Sequence, residues 1–163
     1  MELASVKFVR IDIKQLPTSI TDKIKENVTD SPLMIGQYYI KNQCHNNAIL
    51  AAKEIKQQGE IRIIEGLVKC EDGFLVEHFW NRLVCGQESS DFDVTLDVIG
   101  SEKEKNTLKQ YYEYKNYSLY EIEERKSNTS NAFSLKINEA IEEYYEGHPL
   151  KERYYNSKKQ IGR

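Results

Sequence analysis

Cys44, His78 and Asp93 are side chains of the three kinds that make a nucleophile, its base and the group that orients the base, and they occur in that order along the chain. A cysteine attacks a carbonyl as its thiolate, and a helix N-terminus favours that anion through its unpaired N–H groups and dipole. A histidine takes the thiol proton and returns it to the leaving group, while a carboxylate fixes the tautomer and orientation of the imidazole. Brought together, the three would form a thiol acyl-transfer site. Such a reaction also needs donors for its oxyanion. The backbone N–H of Cys44 is one candidate, and an upstream amide, Gln37 or Gln43, is the other.

The elements that must position these residues follow from hydrophobic periodicity. Cys44, Ala48, Ala51, Ala52 and Ile55 fall near i, i+4, i+7, i+8 and i+11, which is one face of a helix that begins at Cys44 and that Gly59 stops. From Ile61 the period changes to two. Segments 61–69 and 74–84 read as strands joined by a turn at Glu71-Asp72-Gly73, and 92–98 reads as a third strand after a polar turn over 86–90. On the second strand Phe74, Val76, His78 and Trp80 share a face, which is expected to meet the helix that starts at Cys44. On the third, Asp91, Asp93, Thr95 and Asp97 lie opposite Phe92, Val94, Leu96 and Val98, and the register leaves open which set meets His78.

Around this centre, 6–13 (VKFVRIDI) alternates like a strand until Pro17, and Thr18 or Ser19 can cap a short helix towards Val28 that Ser31-Pro32 breaks. After Gly100 the composition shifts towards Lys, Glu, Asn and Tyr. Glu102 to Lys105 reads as a solvated face. Ser118-Leu119-Tyr120-Glu121 is a capping box that predicts a helix from Leu119 to about Lys126. A loop over 127–131 then leads to a helical stripe of Ala132, Leu135, Ile137, Ala140, Ile141 and Tyr144, ended by Gly147-His148-Pro149. The polar end, KERYYNSKKQIGR, is expected to fray.

Length and composition bound the function. A chain of 163 residues that is 39% hydrophobic and 30% charged suits one globular domain, and a net charge of −3 argues against a general phosphate-binding surface, so nucleic acid is not an expected partner. The N-terminal MELASVKFVRIDIK lacks the apolar core of a signal peptide and no segment is of bilayer length, so a cytoplasmic protein without a membrane partner is expected. Cys44, Cys70 and Cys85 are odd in number and fit neither a CxxC pair nor a disulfide framework, which leaves at least one thiol.

Each feature also has a structural reading. Cysteine is among the most buried residue types, His78 would pass for a hydrogen-bonded core histidine, and Asp93 for a solvated strand residue. His45 beside Cys44 suggests metal, but neighbours on a helix point about 100° apart, and Cys70 and Cys85 lack ligand-pair spacing, so no metal and no cofactor are expected. Tyr111, Tyr112, Tyr114, Tyr117 and Tyr120 fit a half-buried strand and helix start better than a base-stacking surface, because their flanking charges are mixed.

Taken together, QCHNNAILAAKEI, IRIIEGLV, EHFWNRLV and DFDVTLDV resemble the core of the transglutaminase-like and papain-like cysteine enzyme superfamily. The pattern is a Cys followed by a small-residue helix, a strand ending near Gly, a His-x-Trp strand and an Asp-x-Thr strand, carried here by Cys44 with Ala48, by Gly66, by His78-Phe79-Trp80 and by Asp93-Val94-Thr95. Asp-Val-Thr stands where the family usually has Asp-Pro-Thr. The resemblance spans about residues 42–98. It implies an α+β fold with the cysteine helix packed on an antiparallel sheet, a core over about 37–100, a C-terminal helical extension over about 101–150, and Trp80 near the substrate pocket. It further implies attack by Cys44 on a peptide or carboxamide carbonyl, with hydrolysis expected ahead of transfer to an amine. The alternative is a binding protein that keeps the fold without the activity.

Overall fold

A segment of helical period followed by two of strand period produces the centre of the structure, a long hairpin with a helix laid across it. The computed structural model describes residues 1–3, 6–31, 33, 37–55, 59–128 and 135–161, with the backbone alone at 125–128 and 157–161. Strands β4 (Glu60–Cys70) and β5 (Leu75–Cys85) pair antiparallel from Glu60 opposite Val84 to Lys69 opposite Leu75. Gly73, at φ 84°, makes the reversal between them in a backbone region that only glycine enters without strain. Strand β7 (Lys109–Tyr117) lies on the other side of β4, β3 (Val9–Ile11) beyond it, and β6 (Glu88–Phe92) at the far edge of β5. The order is β3-β7-β4-β5-β6, antiparallel throughout, and β1 (Glu2–Leu3) with β2 (Val6–Lys7) forms a separate small ribbon. The fold is α+β.

Alternation divides the sheet residues between two faces. On the first, Ile61, Ile63 and Phe79 pack against α2 (Cys44–Glu54), which buries Ala48, Ile49, Leu50, Ala51 and Ala52. The alanines let the helix approach closely enough for the Asn81 side-chain amide to donate to the Ala48 carbonyl at 2.8 Å. Helices α1 (Thr18–Lys25) and α5 (Leu119–Asn128) complete this side through Ile24 and Ile122. Further along the same face, Leu67 and Leu75 meet Ile137, Ile141 and Tyr145 of α6 (Leu135–Tyr145), and the Tyr145 hydroxyl takes the Leu75 N–H at 2.7 Å and donates to its carbonyl at 2.9 Å. Tyr154 of α7 (Lys151–Ile161) stacks on that ring with centroids 4.3 Å apart.

On the second face, Ile64, Val68, Trp80 and Tyr111 form a small core. The chain leaving β3 crosses here, with Ile11 and Ile13 against the core and the Lys14 N–H bonded to the Asp91 carbonyl at 2.8 Å. That crossing covers Trp80 completely. Two short helices, α3 (Val94–Ile99) and α4 (Glu102–Asn106), stand beside the remainder of this face, with a cavity between them and the sheet.

The start of the cysteine helix and the hairpin agree with the sequence reading within a residue or so, the helix ends at Glu54 ahead of the expected stop at Gly59, and three further expectations are corrected. The third strand ends at Phe92 and 94–99 is helical, because Asp93 caps a helix instead of continuing the ladder. Residues 109–117 form a central strand, so the part after Gly100 completes the sheet and is not a purely helical extension. The polar C-terminal segment is helix α7, held by the buried Tyr154. The 34–36 stretch, Pro32 and Ala132 lie outside the described residues.

Gly66 sits opposite His78 in β4, at a register shift against β7, and a side chain there has no room. A Cβ would overlap the Tyr112 carbonyl oxygen and stand 2.6 Å from the Trp80 ring. Gly66→Ala is expected to destabilise the fold by about 2–3 kcal/mol, as overpacked core sites do, read as a lower denaturant midpoint. An unchanged midpoint would show that this close approach is not a constraint.

Candidate functional site

The site forms where the sheet loses a strand. Strand β6 pairs with β5 only over Asn81 to Cys85, so 75–80 of β5 has no strand neighbour on that edge, and α2, α3 and, at Leu75, Tyr145 of α6 lie beside the strand. Asp93 follows Phe92 in an extended conformation and is the N-cap of α3, its Oδ1 accepting the Leu96 N–H at 3.0 Å. Its other oxygen, Oδ2, receives His78 Nε2 at 2.7 Å and the Tyr111 hydroxyl at 2.8 Å. Three donors from three elements thus meet one carboxylate whose side chain is 3% exposed.

With Nε2 committed to Asp93, Nδ1 is the ring nitrogen left for Cys44, which lines the same cavity as His78. Cys44 is the first residue of α2. The body of that helix packs on the Phe79 and Asn81 face, while His78 is on the other, so only the tip of the helix turns towards the imidazole. The N-cap residue Gln43 makes no side-chain cap, and the first-turn amides have no acceptor within the helix. The buried Asn47 fixes this tip: its Oδ1 accepts the Ile40 N–H at 3.0 Å, and its Nδ2 donates to the Ile40 carbonyl at 2.9 Å and to Thr95 Oγ1 at 3.1 Å. One side chain therefore ties the chain before Cys44 to the helix that Asp93 caps.

Cys44, His78 and Asp93 line one cavity of about 380 Å³. Val68, Val76 and Tyr111 of the sheet also line it, as do Leu96 and Ile99 of α3, and Lys41 and Asn42 just before Cys44. Asn42 holds a left-handed conformation, φ 62°, which asparagine tolerates better than most residues.

Burial opposes a charge on His78, but the Asp93 charge, Cys44, and the hydrogen bonds to both outweigh it and hold the imidazole well above its ordinary range. Burial likewise opposes the Asp93 anion, and His78, the Leu96 N–H and Tyr111 overcome it and lower the carboxyl. Burial and the neighbouring Asp93 charge push the Tyr111 hydroxyl up, so it stays a donor. A raised histidine contributes stability at low and neutral pH that fades as pH rises through its folded value, whereas a lowered carboxylate contributes stability that fades as pH falls through its own. The pair therefore supports the fold between those two limits.

The three residues expected to do chemistry converge, and the expected helpers do not. Gln37 is exposed, Gln43 accepts from Asn46 at 3.0 Å, and neither lines the cavity. Trp80 is absent from the cavity wall because the 11–14 crossing buries it on the same face, where its Nε1–H donates to Asp91 at 3.1 Å. The expected common face of the three aspartates dissolves: Asp91 binds Arg82, Asp93 binds His78, and Asp97 accepts the Leu16 N–H at 2.9 Å. Sequence reasoning passed over Asn42 and Asn47 and read Tyr111 only as part of a half-buried strand. Asn47 carried a signal, a polar side chain at i+3 from Cys44 on the helix face otherwise filled by alanines.

Cys44, Cys70 and Cys85 form no disulfide with one another, and among the described residues no three His, Cys, Asp or Glu side chains gather to hold a metal ion. No described helix is long and apolar enough to cross a membrane. Comparison with protein families, curated proteins and solved structures returns no match.

The electrostatics predict for His78 an NMR titration midpoint above the ordinary ~6.5. A midpoint at or below that value would contradict the coupling to Asp93 and Cys44.

Proposed function

We propose that this protein is a thiol acyl-transfer enzyme in which Cys44 is the nucleophile, His78 the general base and acid, and Asp93 the orienting carboxylate. The observation that carries the reading is the 2.7 Å hydrogen bond from His78 to Asp93 with Cys44 on the same wall of a cavity large enough for a small substrate. The likeness of the Cys, His-x-Trp and Asp-x-Thr segments to the transglutaminase-like superfamily supports the same assignment. A histidine hydrogen-bonded only to an aspartate would serve as core structure. One that also meets a cysteine at a helix tip has a further use.

In the proposed reaction the proton shared by Cys44 and His78 lies on His78 Nδ1 as Cys44 Sγ, then a thiolate, bonds to the carbonyl carbon of a peptide or carboxamide. The oxyanion is met by the Cys44 N–H and by the Asn42 carboxamide, in place of the glutamines expected from sequence. Collapse of the tetrahedral intermediate breaks the C–N bond, and the proton on His78 goes to the departing amine. His78 then takes a proton from water as its oxygen attacks the thioester, and returns it to Sγ as the acid is released. An amine in place of water would give transfer, and hydrolysis is the default because water is abundant.

The test needs no known substrate. Iodoacetamide at neutral pH should alkylate Cys44 faster than Cys70 or Cys85, although Cys85 is the exposed one of the three. His78→Ala should slow the labelling of Cys44 by about tenfold or more while leaving Cys85 unchanged. Once an amide substrate is found, Cys44→Ala and His78→Ala should each abolish turnover, with the double variant hardly worse than either. Peptide mapping that found Cys44 slowest of the three would overturn the assignment.

A further inference from the structure

The cavity is longer than the catalytic group needs, and its far end differs in character from its middle. From the row of Gly66 and His78, the same face of the sheet continues through Val68 beside Val76 and Tyr111, and then to Cys70 beside Lys109. Four residues of strand separate the first row from the last, about 13 Å at the usual rise. In the middle the two valines lie below and Leu96 and Ile99 of α3 alongside, with Glu77 of β5 also on the wall.

The far end is cationic. The Lys109 ammonium donates to the carbonyls of Glu104 and Thr107, which fixes it at the end of α4 and leaves the third of its three N–H groups beyond those two bonds. Lys41, on the loop before Cys44, lies close enough to Glu104 for its charge to be felt there, as does Lys109. The Glu104 carboxylate already accepts the Ser101 N–H at 2.8 Å and its hydroxyl at 2.7 Å as half of a capping box. Lys41 and Lys109 therefore share the cavity wall with a single carboxylate, Glu104, that is already bonded to Ser101.

Resting on the proposed thiol chemistry, we propose that the site takes substrates in which an apolar stretch about 13 Å long separates the reacting carbonyl from a negatively charged end, and that Lys41 and Lys109 select that end. The apolar stretch lies along Val68 and Val76. An ammonium-ended substrate would meet like charge, and a neutral end would gain no charge-assisted contact from the lysines.

The test uses the full chain and three thiol-alkylating probes: iodoacetamides bearing the same seven-carbon chain, ended by a carboxylate, a carboxamide or an ammonium group. Labelling of Cys44 is followed by peptide mapping at low ionic strength, beside iodoacetamide itself. The expected order is carboxylate, carboxamide, ammonium, with the first about tenfold faster than the second and the advantage shrinking as salt is added. Lys41→Gln and Lys109→Gln should each reduce that preference without changing the rate with plain iodoacetamide. Lys109→Arg, which keeps the charge, should preserve much of it should the glutamine variant loosen α4. Equal rates for carboxylate and carboxamide, or an ammonium probe that reacts fastest, would overturn the charged-end selection while a fast reaction with iodoacetamide left the thiol site standing. Failure of every reagent to prefer Cys44 would overturn both.

Discussion

The carboxylate of Asp93 is a charge taken almost wholly out of water, and much of the surrounding structure is arranged so that it can stay there. An isolated buried carboxylate would cost several kcal/mol and would be protonated instead. Asp93 avoids that through the Leu96 N–H of the helix it caps, the Tyr111 hydroxyl from across the sheet and the His78 imidazole from the neighbouring strand. Each donor is delivered by a different element. The shortness of β6, the absence of a side chain at Gly66 and the closeness of α3 to β5 are conditions for the same three-way meeting.

That arrangement links stability to the proposed chemistry. The interaction that keeps Asp93 ionised also keeps His78 aimed and favours its protonated form, so the same contact serves the fold and the orientation of the imidazole beside Cys44. Two other buried carboxylates on the sheet are settled without a histidine. Glu65 accepts from the Tyr117 hydroxyl at 2.6 Å, and Asp91 is held by Arg82 and Trp80. Neither lines the cavity. What separates Asp93 from them is the partner through which its charge reaches a cysteine.

Much of this was legible in the sequence because periodicity and caps are local. The alanine face after Cys44 and the Glu71-Asp72-Gly73 turn follow from side-chain spacing, and the capping box of Ser118 with Glu121 is realised, with the Glu121 N–H reaching Ser118 Oγ at 3.2 Å. The run 92–98 misled because its alternation imitates a strand, while the feature that ends the strand is a single side-chain cap from Asp93 to Leu96. Trp80 was misjudged for a different reason: its face is right, but the 11–14 segment that covers it comes from far away in sequence. Tyr111 and Lys109 could not be seen as site residues before the sheet order was known, since β7 reaches the site only by pairing with β4. Local chemistry named the three central residues, and long-range pairing chose their companions.

Asp93→Asn is the substitution that addresses this account most directly, because asparagine caps a helix as well as aspartate and has nearly the same shape. What it removes is the charge that holds His78 protonated. The rate of Cys44 alkylation measured from pH 5 to 9, with thermal melting alongside, separates the two roles. The account predicts a variant that still folds cooperatively but labels at least about tenfold more slowly near neutral pH. An Asp93→Asn protein whose Cys44 reacted at the wild-type rate across that range would show that the carboxylate serves the fold alone.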